Sequence, residues 1–331
     1  MGVKTIQDIA NIVGCSSGTV SRAINNRPGI NAETRKRILQ VMDEVGYRPN
    51  AIAQSLASQQ THTIALIIPD ITESLQCSIA LTADKELFEH KYNIMLCNTY
   101  WDPEIERQKL LFAMEKRVDG IILRPVSDNM DFFKETGIPT VLISHGYKGA
   151  VSYIDIENDA AGAMAAEHLI ACGYRRLAFV GGFREELVRQ RLTGFERTLQ
   201  ERGLPMREEY IWYGDYSLQN GYQAMEHLLS LPEPPDAVFC CSDNSALGVY
   251  QKAAEQGLDV PGQLGLVGFN NDQSSSLPQI NLTTIAQPAD QIGKLAAKMI
   301  LDMAEGKGHP ASPQKMLLYP ELIVRSTTRH I

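Results

Sequence analysis

Polar side chains follow several apolar runs of the sequence, where hydrogen-bonding groups could hold a small molecule. They are Pro69–Asp70, Arg124, Ser144–His145, Gly181–Gly182, Ser242–Asp243 and Asn270–Asn271. Carboxylate, amide, hydroxyl and guanidinium groups are the donors and acceptors that orient bound ligands. Each of these residues alone could equally stabilise a turn. A ligand site therefore requires a fold that brings them together.

No catalytic signature accompanies these groups. The segment FVGGF lacks the G-x-G-x-x-G spacing of a dinucleotide loop, and no Walker-type loop, G-x-S-x-G elbow or H-E-x-x-H motif occurs. His145 is the only one of seven histidines at a predicted strand end, where a hydrogen bond at the rim is the commoner role. The six cysteines form no C-x-x-C pair. We predict binding rather than catalysis, with no metal site and no cofactor.

A second group of polar side chains lies near the N-terminus, in the segment SSGTVSRAIN. A helix over this segment would turn Ser17, Gly18, Ser21, Arg22 and Asn25 outward. Hydroxyl and amide groups contact phosphates, and an arginine can bind guanine O6 and N7 through two hydrogen bonds. This face suits a helix in the major groove of DNA. The alternative is a small solvated helical bundle whose exposed face happens to be polar.

The charge distribution is uneven along the chain. Residues 1–60 hold seven Lys and Arg against four Asp and Glu, which gives them a net charge of +3. Because the net charge of the whole chain is −8, the remaining residues carry a net charge of −11. A basic segment on an acidic body indicates local contact with an anion rather than general affinity for nucleic acid.

Three short helical patterns position the N-terminal polar face. Thr5 and Asp8 form a capping-box pattern at the first helix, Ser16 is the expected cap of the second, and the third begins at Asn31 and ends at Gly46. Two short helices joined by a tight turn and braced by a third form a helix-turn-helix pattern. The apolar residues expected on the inner faces are Ile6, Ile9, Ala10, Val13, Val20, Ala23, Ile24, Ile38, Val41, Met42 and Val45.

From Thr63 onward, apolar runs alternate with helical patterns. TIALIIPD, YNIMLCN, VDGIILRP and IPTVLIS predict buried parallel strands, and RRLAFVGG, DAVFCCSDN and LGLVGFNND repeat the pattern. RRLAFVGG corresponds to TIALIIPD and DAVFCCSDN to VDGIILRP, in both cases about 115 residues later. The predicted fold class is therefore α/β, with two lobes of doubly wound parallel sheets behind a three-helix head. Ligands of such sheets bind beyond the carboxyl ends of the strands, so the polar strand ends of the two lobes should face one cleft.

The N-terminal segment resembles the DNA-binding head of the lactose-repressor family of bacterial transcription regulators, above all in TVSR followed by GYRPN. ENDAAGAMAAEHL, GFERTL, SDNSALG, LGLVGFNND and PELIVRSTTR are similar to the core of that family, which itself resembles periplasmic sugar-binding proteins. The likeness spans nearly the whole chain.

The resemblance implies the domain organisation. A helix-turn-helix domain is expected over 1–46, a hinge helix with a linker over 47–61, and an effector-binding and dimerisation core over 62–331. The first lobe is expected to comprise about 62–157 and 291–320, and the second about 158–287 and 321–331. The chain should cross between the lobes near Asn158, near Gln287–Asp290 and near Glu321.

The resemblance also implies the DNA-contacting residues. They are Thr5, Ser16, Ser17, Gly18, Thr19, Ser21, Arg22, Asn25, Asn50, Ala53 and Leu56. Gly18 offers no side chain, so base discrimination there should be weak or indirect. The segment YRPNAIAQSLAS is too short for a stable isolated helix. It resembles the family hinge, in which Leu56 would enter the minor groove as a wedge. The alternative is a linker helix with Leu56 packed on its own head.

The effector-binding residues implied by the resemblance are Leu75, Gln76, Arg124, Ser144, Ile156, Arg191, Tyr216, Asp243, Asn270 and Gln287. Tyr216 would stack on a sugar ring. Ser144 and Asn270 stand where the family often has acids, while two arginines lie in the same set. This combination predicts an acidic or phosphorylated sugar-like effector. A neutral sugar held by amides and hydroxyls is the alternative.

We therefore expect a transcription regulator, in the simplest case a repressor, that is switched by a small sugar-like effector. One head reads few base pairs, so a palindromic operator and a homodimer are expected. A sugar-binding transport component without a DNA-binding role is the alternative. No secretory signal and no apolar run of roughly 18–20 residues occurs. We therefore expect a cytoplasmic protein without a membrane partner. The chain ends shortly after RSTTRH without a heptad tail, which predicts a dimer rather than a tetramer.

Overall fold

The computed structural model describes residues 5–25, 27–48, 60–126, 136–143, 151–183, 186–306 and 313–330. By its internal contacts the chain separates into two compact units, Met1–Thr61 and His62–Ile331. We call the first unit the head and the second unit the core.

The described part of the head contains three helices, each begun by the polar residue that the sequence predicts. They are α1 (Ile6–Val13), α2 (Ser17–Ile24) and α3 (Ala32–Glu44). Thr5 and Asp8 form a reciprocal capping box at α1, and the Ser16 and Asn31 side chains accept backbone N–H groups at α2 and α3. Gly14 ends α1 with a φ of 77°, a left-handed conformation that glycine adopts without steric cost.

The helices of the head enclose one small apolar core. Its buried members are Ile9, Ala10, Val20, Ala23, Ile38 and Met42. The other predicted inner positions, Ile6, Val13, Ile24, Val41 and Val45, pack against them. The helical periodicity of the sequence is thus confirmed at every predicted inner position of the head.

The first lobe of the core is built on a six-stranded parallel sheet. Its strands are β1 (Thr63–Ile68), β2 (Asn93–Asn98), β3 (Gly120–Leu123), β4 (Thr140–Ile143), β5 (Ser152–Ile156) and β11 (Lys315–Leu318). Their order across the sheet is β11-β5-β4-β3-β1-β2, and every pairing is parallel.

The second lobe repeats this arrangement. Its strands are β6 (Leu177–Val180), β7 (Ile211–Trp212), β8 (Ala237–Cys240), β9 (Gly265–Phe269), β10 (Thr283–Ala286) and β12 (Glu321–Ile323). Their order is β12-β10-β9-β8-β6-β7, and only β12 runs antiparallel to its neighbour. The predicted fold class, two parallel-sheet lobes behind a helical head, is confirmed.

Helices cover both faces of the sheets. In the described part of the core they are α4 (Ser74–Glu89), α5 (Pro103–Lys116), α6 (Asn158–Ala171), α7 (Glu186–Glu201), α8 (Leu218–Leu229), α9 (Asp243–Glu255) and α10 (Ala289–Ala304). Paired glycines let α6 and α7 approach closely. A Cβ atom at Gly162 would lie 1.8 Å from the Arg191 carbonyl oxygen, and one at Gly194 would lie 1.9 Å from that of Asp159.

The chain passes between the two sheets three times. The passages lie between β5 and α6, between β10 and α10, and between β11 and β12. The strands of each lobe are therefore not continuous in sequence. Three short segments join the two lobes and hold them next to each other. The strand ends of both lobes can therefore surround one cavity.

Candidate functional site

The exposed polar face of the head lies on α2 and the turn before it. Gly18, Arg22 and Asn25 are exposed, while Ser17 and Ser21 are partly buried. The opposite face of α2 carries the buried Val20 and Ala23 and is therefore fixed against α1 and α3. Packing thus leaves the predicted reading face open to solvent.

Hydrogen bonds hold several side chains of this face in place. The Arg22 Nε atom donates to the Gly18 carbonyl at 3.2 Å, and the Asn25 amide donates to the Ser21 carbonyl at 2.9 Å. The Ser17 hydroxyl donates to the Gln7 side-chain oxygen on α1 at 2.6 Å. These hydrogen bonds restrict the side-chain conformations of Ser17, Arg22 and Asn25.

Two further predicted DNA contacts belong to the caps. Thr5 caps α1, and the Thr19 hydroxyl lies 2.9 Å from that of Ser16 at the start of α2. Asn50, Ala53 and Leu56 lie outside the described residues, so the proposed hinge contacts stay predictions.

A cavity of about 320 Å³ lies between the two lobes of the core, at the carboxyl ends of their strands. This is the location expected for a ligand of parallel sheets. Six of the predicted effector residues line it, from both lobes and the passage between β10 and α10: Leu75, Arg124, Arg191, Tyr216, Asn270 and Gln287.

The other predicted effector residues do not line the cavity or are not described. Gln76 and Ile156 are buried behind the wall. Asp243 is fully buried at the start of α9 and lies behind the wall as well. Ser144 lies outside the described residues.

Asp243 supports a residue that does line the cavity. Its two carboxylate oxygens accept hydrogen bonds from the Thr284 hydroxyl and the Asp272 backbone N–H, each at 2.6 Å. Burial raises the pKa of Asp243 from 3.8 to about 7 and that of Asp272 from 3.8 to about 6. The Oδ1 atom of Asp272 is buried and has no hydrogen-bond partner within the described part of the chain. Asp272 can therefore accept a hydrogen bond from a ligand.

Four carboxylates and two guanidinium groups line the cavity, namely Asp70, Glu73, Asp215, Asp272, Arg124 and Arg191. The sequence predicts an acidic or phosphorylated effector, because Ser144 and Asn270 stand where the family often has acids. Asp272 supplies a carboxylate to the cavity wall two residues after Asn270. The Asn270 side chain instead accepts a hydrogen bond from Gln287 at 2.8 Å.

Arg191 is oriented by two residues of the second lobe, one of which is hydrogen-bonded to the first lobe. Its Nε atom donates to the Asn158 side-chain oxygen at 2.9 Å, and its guanidinium carbon lies 3.7 Å from the centroid of the Phe269 ring. Asn158 in turn donates to the buried Asp155 carboxylate at 3.2 Å. Arg191 is thus held at the passage between β5 and α6, where a change in the lobe arrangement would move it.

The guanidinium group of Arg124 is buried beside an aromatic ring. Arg124 is 8% exposed, and its Nε and Nη1 atoms are buried with no hydrogen-bond partner among the described residues. Its guanidinium carbon lies 4.9 Å from the centroid of the Trp101 ring. Burial raises the pKa of the neighbouring Glu73, and the charge of Arg124 opposes that shift. Buried donors of this kind need an acceptor.

Three aromatic rings meet at the cavity. Trp101 of the first lobe lies 5.3 Å from Phe183 and 5.5 Å from Tyr216 of the second lobe, measured between ring centroids. Gly182 makes this packing possible, because a Cβ atom there would lie 2.2 Å from the Tyr216 ring. Aromatic faces beside hydrogen-bonding groups suit a ring with one apolar face and several hydroxyls.

Trp101, Phe183, Asp215 and Asp272 were not among the predicted effector residues. Trp101 and Asp272 follow strand ends by only a few residues, so the rule that ligands bind at carboxyl ends could have identified them. In the described ranges, no group of three or more His, Cys, Asp or Glu residues could hold a metal ion. None of the described helices is long and apolar enough to cross a membrane.

The fold and these two sites define a class of protein, a helix-turn-helix DNA-binding head joined to a two-lobed ligand-binding core. Residues 5–50 match the model of the lacI family of bacterial regulatory proteins, and residues 166–328 match the periplasmic binding protein-like domain.

Whole-chain comparisons agree with this class. The chain is 36% identical to the catabolite control protein A of Priestia megaterium, over 89% of this chain and 91% of that protein. It is 31% identical to the HTH-type transcriptional repressor PurR of Actinobacillus pleuropneumoniae serotype 3 (strain JL03), over 99% of both chains. Among solved structures, it resembles the transcriptional regulator CelR in its complex with cellobiose. The TM-score is 0.74 and the identity 27%, over 98% of this chain and 99% of that one.

The chain belongs to the LacI family of bacterial regulatory proteins and is a DNA-binding transcription regulator. The relatives named here are transcription regulators rather than enzymes.

Proposed function

We propose that this regulator is a repressor that binds a palindromic operator as a homodimer and is switched by a neutral sugar bound between the lobes. The observation that carries this proposal is the presence, in one chain, of an exposed polar recognition helix and an interlobe cavity lined by aromatic and hydrogen-bonding side chains. The name of the PurR relative, a transcriptional repressor, supports the direction of regulation. Such a protein acts by binding alone, and we expect it in the cytoplasm, where its DNA is.

In the head we assign direct base recognition to Arg22 and positioning contacts to the hydroxyls around it. Arg22 is the only long cation on the exposed face of α2, and two hydrogen bonds from an arginine to guanine are the commonest specific contact. Thr5, Ser16, Thr19, Ser21 and Asn25 would hold phosphates. Gly18 has no side chain at the centre of this face. The head would therefore recognise the shape of the DNA there rather than contact a base through a side chain.

The operator can be determined without knowing the regulated genes. The full chain would be used to select sequences from a random DNA library, and salt titrations would follow on the enriched sequences. We expect one palindrome whose half-sites are separated by about one helical turn, 10–10.5 base pairs. Binding that shows no sequence preference would contradict the proposal.

For the dimer we propose a face of the first lobe. Strand β2 lies at the edge of its sheet, and Leu96 on this strand is exposed. Helix α4 packs next to β2 and exposes Leu81 (66%) and Phe88 (73%) one heptad apart. Exposed apolar residues next to an unpaired strand edge are typical of an interface. A second copy of the chain would cover them.

Light scattering tests this face. Phe88→Glu would place a charge in the proposed interface, and we expect it to shift the protein from dimer to monomer. Tyr319→Glu is the matched control, because Tyr319 is 75% exposed on the segment between β11 and β12. A Phe88→Glu protein that remains a dimer at micromolar concentration would rule out this face.

We propose a neutral sugar because carboxylates outnumber guanidinium groups on the cavity wall. Asp70, Glu73, Asp215 and Asp272 can accept hydrogen bonds from hydroxyls, while Arg124 can donate to the ligand's oxygen atoms. A sugar acid would meet repulsion from these carboxylates. The complex of the CelR relative with cellobiose is consistent with a neutral effector.

Matched pairs of ligands test the class of effector. Thermal shift followed by calorimetry would compare neutral sugars such as glucose, galactose, ribose and cellobiose with the corresponding sugar acids and sugar phosphates. We expect a neutral member to bind more tightly than its acid. Tighter binding of a sugar acid or sugar phosphate would favour the alternative drawn from the sequence, with Arg124 and Arg191 as anion ligands.

A further inference from the structure

The aromatic cluster at the cavity depends on an unusual backbone in the first lobe. Tyr100 and Trp101 have φ angles of 55° and 60°, in the left-handed region that residues with a side chain rarely occupy. The Tyr100 N–H donates to the Pro69 carbonyl at 2.8 Å, and the Thr99 N–H donates to that of Ile68 at 2.9 Å. These bonds tie the Trp101 loop to the end of β1. Strained residues persist where the surroundings hold them, often at functional sites.

This backbone places the Trp101 ring between two sets of partners. On the first lobe it lies against the guanidinium group of Arg124, at 4.9 Å. Towards the second lobe it meets Phe183 and Tyr216, with interplanar angles of 42° and 36°. Within the described part of the chain, Trp101 is therefore the residue through which this aromatic cluster joins the two lobes.

The second lobe makes room for this contact through the segment Phe179–Phe183, FVGGF in sequence. Gly182 allows the Tyr216 ring to lie against the backbone, and Phe183 follows directly, 38% exposed. Phe183 and Tyr216 lie 5.7 Å apart in an edge-to-face arrangement. The short turn after β6 thus carries Phe183 and supports the Tyr216 ring, which belongs to the segment after β7.

The distance between the Trp101 and Tyr216 rings shows whether a sugar ring fits between them. Stacked carbon atoms lie about 3.5–4.0 Å apart, so a sugar ring held between Trp101 and Tyr216 needs a centroid separation of about 7 Å or more. The observed separation is 5.5 Å. The two rings must therefore separate for a ligand held between them, or stay in contact and cover a ligand that lies deeper.

We propose that Trp101 is a specificity-determining residue of the effector site and that its contacts with Phe183 and Tyr216 form an aromatic gate between the lobes. A sugar places an apolar face on Trp101 while its oxygen atoms accept hydrogen bonds from Arg124, which the same ring holds in place. The Trp101 side chain would then contact the effector and also respond to a change in the arrangement of the lobes. This inference rests on the proposed function, since it concerns the same effector.

Fluorine NMR of the full chain labelled with 5-fluorotryptophan tests the gate, because the sequence contains only two tryptophans, Trp101 and Trp212. Trp212→Phe assigns the two signals. Without any sugar, we expect Tyr216→Leu and Phe183→Leu to move the Trp101 signal and to leave the Trp212 signal unchanged. Tyr250→Leu, elsewhere on the second lobe, should move neither signal. A Trp101 signal that ignores both substitutions would overturn the proposal.

A second arm adds cellobiose, glucose and ribose as probes. For a sugar that binds by calorimetry, we expect the Trp101 signal to move, Trp101→Ala to weaken binding about tenfold, and Trp101→Phe to stay within about threefold. An unchanged Trp212 signal in Trp101→Ala would show that this variant folds. A bound sugar that leaves both the Trp101 signal and the affinity of Trp101→Ala unchanged would overturn the proposal. If none of the probes binds, the sugar class of the proposed function fails, while the first arm still decides the gate.

Discussion

The head and the core build their sites by opposite means. In the head, caps and helix packing within about forty residues leave a polar face on the surface of α2. In the core, residues far apart in sequence, such as Arg124 and Asp272, line the same cavity. The head needs only local order to present its side chains, whereas the core needs two sheets and three chain passages. Substitutions should therefore act locally in the head and through packing in the core.

The largest effect is expected from Arg22→Ala. Loss of two hydrogen bonds to a base costs about 1–3 kcal/mol, or roughly five- to 150-fold in operator affinity, and preference at that base pair should disappear. Arg37→Ala, an exposed arginine on α3, is the matched control. Equal losses in the two variants, measured by gel shift on the selected operator, would assign Arg22 a general electrostatic role.

Substitution of one glycine in the core and one in the head allows a direct comparison of how the two units tolerate an added Cβ atom. Gly182→Ala would place its Cβ atom 2.2 Å from the Tyr216 ring, so we expect a loss of about 1–3 kcal/mol in the free energy of unfolding and weaker sugar binding. At Gly18 the nearest atom to an added Cβ is 3.8 Å away. Gly18→Ala should stabilise α2 by about 0.5–1 kcal/mol. Chemical denaturation would measure both changes, and similar effects at the two positions would contradict the packing described here.

We expect the free energy of unfolding of the core to depend on pH. Asp243 has a pKa raised to about 7 by burial, so the folded core retains a proton that the unfolded chain releases above its ordinary value of 3.8. The free energy of unfolding should fall as the pH rises through this window and level off above about 7. Asp272 contributes with the same sign up to about pH 6. Both tryptophans lie in the core, so their fluorescence reports its unfolding, and Asp243→Asn should flatten the profile. If the free energy of unfolding of Asp243→Asn depends on pH as steeply as that of the wild-type protein, Asp243 does not cause the pH dependence.

The smallest effect is expected from Ser17→Ala. The variant loses the hydrogen bond from Ser17 to Gln7, which is worth about 0.5–1.5 kcal/mol or less at an exposed position. Operator affinity should fall by about tenfold at most. A loss as large as that of Arg22→Ala would mean that Ser17 contacts a base directly.

The sequence predicted the head more completely than the core for a physical reason. Caps such as Thr5 and Asn31 act within a few residues, and the helical period identified the inner faces. The same local signals identified the long buried strands such as β1. Five strands were not predicted as strands. β7 and β12 have only two and three residues, β11 lies at a sheet edge, and β5 (SYIDI) and β10 (TTIA) carry polar residues.

The cavity was harder to predict because its wall depends on register and backbone conformation. Asp243 and Asp272 both follow strands, yet one is buried behind the wall and the other lines the cavity. Trp101 reaches the cavity through a left-handed backbone that no sequence pattern indicates. Aromatic residues just after strand ends are the signal that could have been used.

The central claim is that a ligand in the core changes DNA binding by the head. Its most direct test is the operator affinity of the full chain, measured with and without a sugar that stabilises the wild-type protein. We predict that the sugar changes the dissociation constant at least about tenfold, within the usual range of allosteric coupling. We also predict that Asp272→Asn diminishes this change without altering operator affinity in the absence of sugar. A sugar that binds in the cavity and leaves operator affinity unchanged would contradict the account.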